Sequence, residues 1–164
     1  MRPPSPSAAD LPLPRPLDRL DRIIARWMED HGRLFLRVSL AIVFIWFGLL
    51  KPLGLSTAND LIARTVYWIP AEVFIPILGW WEVAIGIGLL LRPLLRLALL
   101  LLFLQMPGTF LPLLLLPEIC WIQFPLVPSL EGQYIIKNLV LISAAIVVGG
   151  TVRKHPPPDS PTKL

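Results

Sequence analysis

Four long apolar segments restrict what this chain can fold into, since they leave little polar sequence between them. An α-helix rises 1.5 Å per residue, so about 20 residues cross the roughly 30 Å hydrocarbon core of a bilayer. Of all residues 55% are hydrophobic and only 16% are charged, with a mean hydropathy of +0.68. The sequence therefore predicts an all-α fold, an integral membrane four-helix bundle. The segments are residues 34–50, 73–91, 94–116 and 135–152.

The chain outside these segments predicts two tails and one further helix. Residues 1–16 and 154–164 are rich in proline and small polar residues, which disfavours a helix and predicts disordered cytoplasmic tails. Between the first tail and the transmembrane domain (residues 33–153), residues 17–32 carry apolar residues three and four positions apart, with arginines on the other face. This amphipathic helix either packs on the protein's own rim or lies in the lipid headgroup layer. Its arginines and Trp27 favour the headgroup layer.

The distribution of basic residues predicts the orientation in the membrane. Twelve of the 15 lysines and arginines lie before or at the first segment, at the turn after the second, or beyond the fourth. Cytoplasmic loops carry the excess of such residues, so both termini are predicted to be cytoplasmic and the loops 52–72 and 117–134 to face outward. Aromatic residues, which prefer the membrane interface, flank the predicted outer boundary. They are Tyr67, Trp68, Trp121 and Tyr134.

The charge pattern also indicates the class of partner. A net charge of +4 could suggest nucleic acid, but here the basic residues flank apolar runs, which favours membrane lipid as the partner and argues against nucleic acid. The only cysteine, Cys120, excludes an internal disulfide and a CxxC redox pair.

Glu82 is the most informative residue, because it lies halfway along the second segment, about 15 Å from either surface. An acidic residue at the centre of a membrane helix costs about 3 kcal/mol, so Glu82 should be protonated, paired or turned toward a wet cavity. Gly79 and Gly86, at i−3 and i+4, place it on a small-residue face that permits close helix contact. The sequence thus predicts that Glu82 points into the bundle.

Lys51, at the end of the first segment, and Lys137, one turn inside the fourth, are both candidate partners for Glu82. Such a pair could be a ligand or proton site, or it could only fix helix register, with each lysine extending to the headgroups. Gln105 lies near the middle of the third segment, beside Pro107, which is expected to kink that helix. It is a further candidate for the same ligand or proton site.

Three tryptophans could line a quinone-sized slot beside Glu82, although aromatic residues in a membrane bundle more often serve packing. These candidate cofactor-binding residues are Trp46, Trp80 and Trp81.

No complete catalytic or metal-binding motif is present in the sequence. His31 and His155 lie outside the four segments, so the chain cannot supply paired axial ligands for a membrane haem. P-loop, HExxH and Ser-His-Asp arrangements are also missing. We therefore predict no catalytic residue, no metal ligand and no covalently bound cofactor, and any redox role would depend on a bound quinone or on a partner that carries the cofactor.

Three stretches resemble a known family: WFGLLK at residues 46–51, GWWEVAIG at 79–86 and GQYIIKN at 132–138. Together they resemble the DoxX-like superfamily of four-helix bacterial membrane proteins, and are most similar to its reactive-chlorine resistance branch. The resemblance extends from about residue 34 to 150. It implies the bacterial inner (plasma) membrane, a role in oxidative or electrophilic stress or in thiosulfate and quinone redox chemistry, and a redox partner protein or larger membrane complex. By motif position, only Lys51, Glu82 and Lys137 carry over.

Three functions remain open from the sequence. The first is a membrane subunit in quinone-linked redox chemistry or oxidative-stress protection, without a complete catalytic site of its own. The second is a small transporter or proton conduit that uses Glu82. The third is a structural assembly subunit of a membrane complex. Whether the protein is an enzyme stays open.

Overall fold

A computed structural model describes residues 15–152, with side chains from residue 17 onward. Both predicted tails therefore lie almost wholly outside the described residues. The chain divides into two units between Phe35 and Leu36. A single 3₁₀ turn, Arg92–Leu94, joins the second and third long helices. The other elements are α1 (Arg15–Leu50), α2 (Asn59–Thr65), α3 (Ala71–Leu90), α4 (Leu95–Phe110), α5 (Pro112–Leu115), α6 (Pro117–Cys120), β1 (Trp121–Gln123), β2 (Val127–Pro128), α7 (Leu130–Ile136) and α8 (Asn138–Gly149).

Four stretches of helix are long and apolar enough to cross a membrane, which confirms the predicted number of apolar helical segments. These stretches are Leu17–Leu50, Ala71–Leu90, Arg92–Leu115 and Leu130–Gly149. Apart from the short antiparallel pair β1–β2, the described residues contain no strand, so the fold is all-α.

Helix α1 is longer than the first apolar segment of the sequence. It is one continuous helix from Arg15 to Leu50, so the predicted amphipathic helix and the first apolar segment belong to the same element. No helix-breaking proline or glycine pair falls between residues 17 and 50, which is consistent with an unbroken helix.

The first unit, as far as the structure describes it, is the N-terminal part of α1. Its side chains are exposed on every face, including apolar ones such as Ile23 and Trp27, which are 57% and 53% exposed. Asp18 and Arg22 form an ion pair one turn apart, at 2.6 Å. Whether lipid covers the apolar side chains of this unit stays a prediction.

The second unit is built around one apolar core to which four helices contribute. The core combines three alanines on α4 and α8 and one on α1 with larger apolar side chains. The buried members are Leu40, Ala41 and Phe44 of α1, Ile85 and Leu89 of α3, Leu95, Ala98, Leu99, Leu102 and Met106 of α4, and Ala144, Ala145 and Val148 of α8.

Glycines set a close approach between α1 and α3. A Cβ atom added to Gly79 would lie 2.6 Å from the carbonyl oxygen of Gly48, and one added to Gly48 would lie 2.7 Å from the carbonyl oxygen of Gly79. Gly86 likewise lies against the backbone of α1, since a Cβ atom added to it would lie 2.8 Å from the carbonyl oxygen of Ala41. The predicted close contact on the Gly79–Gly86 face is therefore confirmed, and it brings the end of α1 against the middle of α3.

A second close approach fixes the connection before α7. A Cβ atom on Gly132 would lie only 2.1 Å from the carbonyl oxygen of Cys120, and that same oxygen accepts a hydrogen bond from the backbone N–H of Ser129. The hydroxyl of Ser129 caps α7 by accepting from the N–H of Gly132. Cys120 is fully buried, and burial, followed by the charges of Glu131 and Glu118, raises the pKa of its thiol.

Candidate functional site

Lys51 and Glu82 form a buried ion pair at the crossing of α1 and α3. The Nζ atom of Lys51 donates to Oε2 of Glu82, and the two residues are only 7% and 8% exposed. Glu82 therefore points into the bundle, as predicted. Of the two candidate lysines, the structure pairs Lys51 with it. The approach of Gly48 to Gly79 places Lys51, three residues after Gly48, beside Glu82, three residues after Gly79.

Gln105 of α4 completes this cluster from a third helix. Its Nε2 atom donates to Oε1 of Glu82 at 2.7 Å, so each carboxylate oxygen accepts one donor. A charge-assisted hydrogen bond and an ion pair together offset much of the cost of burying the carboxylate. The Oε1 atom of Gln105 is buried without a hydrogen-bond partner among the described residues. The amide is held in this orientation because an ionised carboxylate can only accept.

The cluster forms part of the wall of a large cavity within the second unit. The cavity has a volume of about 980 Å³, at the upper end of the range of small-molecule sites, and most of its lining is apolar. Lys51, Glu82 and Gln105 all contribute to the lining. Further lining residues come from α1, α2, α3, α4, α5, α7 and α8, so the cavity is lined by elements that lie far apart in the sequence.

Lys137 lines the same cavity but stands apart from the pair. It lies at the junction of α7 and α8, its side chain is exposed, and it forms no ion pair within the described part of the chain. Asn138 beside it is half-buried and also lines the cavity. The cavity therefore contains one neutralised pair of charges and one further cation.

The three tryptophans differ in position. Trp81 lines the cavity, and its indole N–H donates to the backbone carbonyl of Leu101 at 3.4 Å. Trp46 and Trp80, in contrast, are 63% and 58% exposed and do not line it, so of the three candidate cofactor-binding residues only Trp81 borders the cavity. For Trp80 the reason is helical geometry: at about 100° per residue it points about 200° away from Glu82, whereas Trp81 and Glu82 bound the arc of α3 that lines the cavity.

Sequence reasoning missed the contribution of the connection between α1 and α3. The segment 52–72 was expected to be a loop, yet α2 forms within it and Leu61, Ile62 and Thr65 line the cavity. The hydroxyl of buried Thr65 donates to the carbonyl oxygen of Leu61 at 2.6 Å. The signal was present in the three- and four-residue spacing of Leu61, Ile62 and Thr65, although the segment is short.

Comparison with protein-family models, with curated proteins and with solved structures finds no match for this chain. The DoxX-like resemblance therefore stays a hypothesis. Among the described residues, no group of three or more His, Cys, Asp or Glu side chains is placed to hold a metal ion.

The chemistry open to the site follows from its hydrogen-bonding capacity. The ammonium group of Lys51 has three donors and the amide of Gln105 has two, and Glu82 occupies one of each. Glu82 retains lone pairs on both oxygens. The cluster can thus both donate to and accept from a polar group at the end of an otherwise apolar ligand.

Proposed function

We propose that this chain is a multi-pass membrane protein whose cavity binds a lipid-soluble quinone, and that it serves as a DoxX-like subunit of the bacterial inner membrane in quinone-linked redox chemistry or oxidative-stress protection. The observation that carries the proposal is the hydrogen-bonded cluster of Lys51, Glu82 and Gln105 in the wall of a large apolar cavity. Such a cavity with a few convergent polar groups is typical of sites for apolar cofactors.

The two parts of a quinone match the two parts of the cavity. Its isoprenoid tail requires apolar side chains, which α1, α2, α4 and α8 supply. Its ring carbonyls accept hydrogen bonds, and Lys51 and Gln105 retain donors after binding Glu82. Trp81 adds an aromatic surface on which a ring can stack.

The protein's own residues bind and orient the ligand in this proposal, and they carry no electrons. The sequence contains no motif for haem, flavin or nicotinamide binding, so a partner protein with its own redox group would reduce or oxidise the quinone. Both termini face the cytoplasm in this arrangement, as the distribution of basic residues favours.

The test is the quinone content of the purified protein. The wild-type chain, Glu82→Gln and Glu72→Gln are purified in mild detergent, and extracted quinone per mole of protein is measured by mass spectrometry. Glu72 lies on the same helix but is exposed and does not line the cavity, so it is the matched control. We expect Glu82→Gln to lose most of the bound quinone and Glu72→Gln to retain it, with both variants eluting as folded protein.

Other outcomes would select the other two functions. Quinone content that is unaffected by Glu82→Gln, together with altered proton or solute flux in vesicles, would replace the proposal with a conduit that uses Glu82. Unchanged quinone and flux with weakened assembly of a larger complex would indicate a structural subunit.

A further inference from the structure

Lys137 lines the cavity, but no acidic side chain among the described residues pairs with it. One helical turn away on either side are Gln133, Tyr134, Val140 and Leu141, none of which is acidic. Within residues 17–152, no carboxylate lies within 4.0 Å of its ammonium group. The two other charged residues that line the cavity, Lys51 and Glu82, neutralise each other. The lining therefore carries one uncompensated positive charge.

Lys137 is exposed, but it also lines a largely apolar volume, and an anion bound inside that volume would be less screened by water than one at an ordinary surface. The attraction between opposite charges increases as the local dielectric constant falls. Asn138, next to Lys137, makes no side-chain hydrogen bond within the described residues and can donate to the same group.

We infer that the cavity selects an amphiphile whose polar head is an ionised acid, and that Lys137 pairs with this head. Suitable heads are the carboxylate of a fatty acid and the enolate of an acidic hydroxyquinone, both of which join an anion to an apolar body. The inference rests on the proposed function, because it names the charge of the ligand that the proposed cavity binds. It assigns Lys137 to the ionised oxygen of the head, in addition to the donors that Lys51 and Gln105 retain beside Glu82.

The experiment compares ligands that share a body and differ in charge. The full chain is placed in nanodiscs of phosphatidylcholine, a zwitterionic lipid, and binding of dodecanoate, dodecanol and dodecylamine is measured by calorimetry. A second pair, a hydroxynaphthoquinone and its uncharged methyl ether, distinguishes quinone from acyl ligands. We expect each acid to bind about tenfold more tightly than its uncharged counterpart, which corresponds to about 1.4 kcal/mol of binding free energy. Dodecylamine should bind most weakly.

Two variants test whether Lys137 causes the preference for acids over uncharged ligands. Lys137→Gln should weaken binding of the acids about tenfold and leave dodecanol and the methyl ether unchanged, since only the ion pair is lost. Arg96→Gln is the control, because Arg96 is exposed and does not line the cavity. It should leave every affinity unchanged.

The outcomes separate this inference from the proposed function. Equal binding of charged and uncharged ligands, or an equal effect of Lys137→Gln and Arg96→Gln, would overturn the role of Lys137 and leave the cavity as a ligand site. Failure of every probe to bind would overturn both. A preference for the acyl acid with no binding of either quinone would sustain Lys137 as the anion-binding residue and contradict quinone as the ligand.

Discussion

Glu82 is held in an apolar bundle by two donors, one directly after the end of α1 and one on α4. Lys51 supplies the opposite charge and Gln105 a neutral N–H, so neither carboxylate oxygen is left bare. Buried ion pairs often contribute little net stability compared with apolar residues of the same volume, yet loss of one partner leaves an uncompensated charge. The pair is therefore expected to be costly to break from one side and much less costly to remove entirely.

A double-mutant cycle tests this expectation. Lys51→Met and Glu82→Gln should each lower the free energy of unfolding by about 3 to 5 kcal/mol, because each leaves one buried charge without its opposite charge. The double variant Lys51→Met/Glu82→Gln should cost clearly less than the sum of the two. Denaturant unfolding in detergent micelles provides the measurement, with Glu72→Gln as the exposed control. Additive losses would mean that the two side chains do not interact.

At the scale of single residues, the sequence was sufficient to place Glu82 inside the bundle but not to choose its partner. Depth along a helix can be counted from the ends of an apolar segment, so the need for a partner was predictable. The choice between Lys51 and Lys137 depends on how α1 and α8 lie relative to α3, which no local spacing encodes. The same limitation applies to the exposed position of Trp46 on α1, whereas that of Trp80 follows from its spacing to Glu82 within α3.

Among the secondary-structure elements, the crossing of α1 and α3 decides whether the site exists. Gly48 and Gly79 lie so close that neither position has room for a methyl group. The role of Gly79 was predictable from its spacing to Glu82 within one helix. The opposing residue, Gly48, lies 31 positions from Gly79 in the chain, and only the packed structure identifies it.

Gly79→Ala should force α1 and α3 apart and separate Lys51 from Glu82. We expect it to lower the free energy of unfolding by about 1 to 3 kcal/mol, the usual cost of overpacking. Gly108→Ala is the matched substitution, since a Cβ atom there meets nothing within 4 Å, and it should be neutral or stabilise the helix by up to about 1 kcal/mol. Thermal unfolding of both variants is the measurement. Equal effects would contradict a close crossing.

For the molecule as a whole, four helices with the length and composition of membrane spans were predictable, because long apolar runs are the strongest signal in a sequence. The cavity was not predictable, since its wall combines α2 with residues of six other helices. The orientation that the basic residues favour places residues 52–72 and 117–134 outside and both termini inside.

Cysteine labelling tests that orientation in intact cells. In a Cys120→Ser background, a cysteine at Leu126, which is 81% exposed in the β1–β2 connection, should react with a membrane-impermeant maleimide added from outside. A cysteine at Lys163 should react only after the membrane is permeabilised. The reverse pattern would invert the topology, and the unmodified Cys120→Ser protein reports background labelling.

The central claim, that Glu82 and its partners form the polar end of a ligand cavity, is tested most directly by titrating a short-chain quinone and following tryptophan fluorescence. Trp68 and Trp81 line the cavity, whereas Trp46 and Trp80 do not. We predict that Trp68→Phe/Trp81→Phe removes most of the quenching, that Trp46→Phe/Trp80→Phe retains it, and that Glu82→Gln raises the dissociation constant about tenfold. Quenching that survives in the first double variant, or an affinity that Glu82→Gln leaves unchanged, would contradict the account.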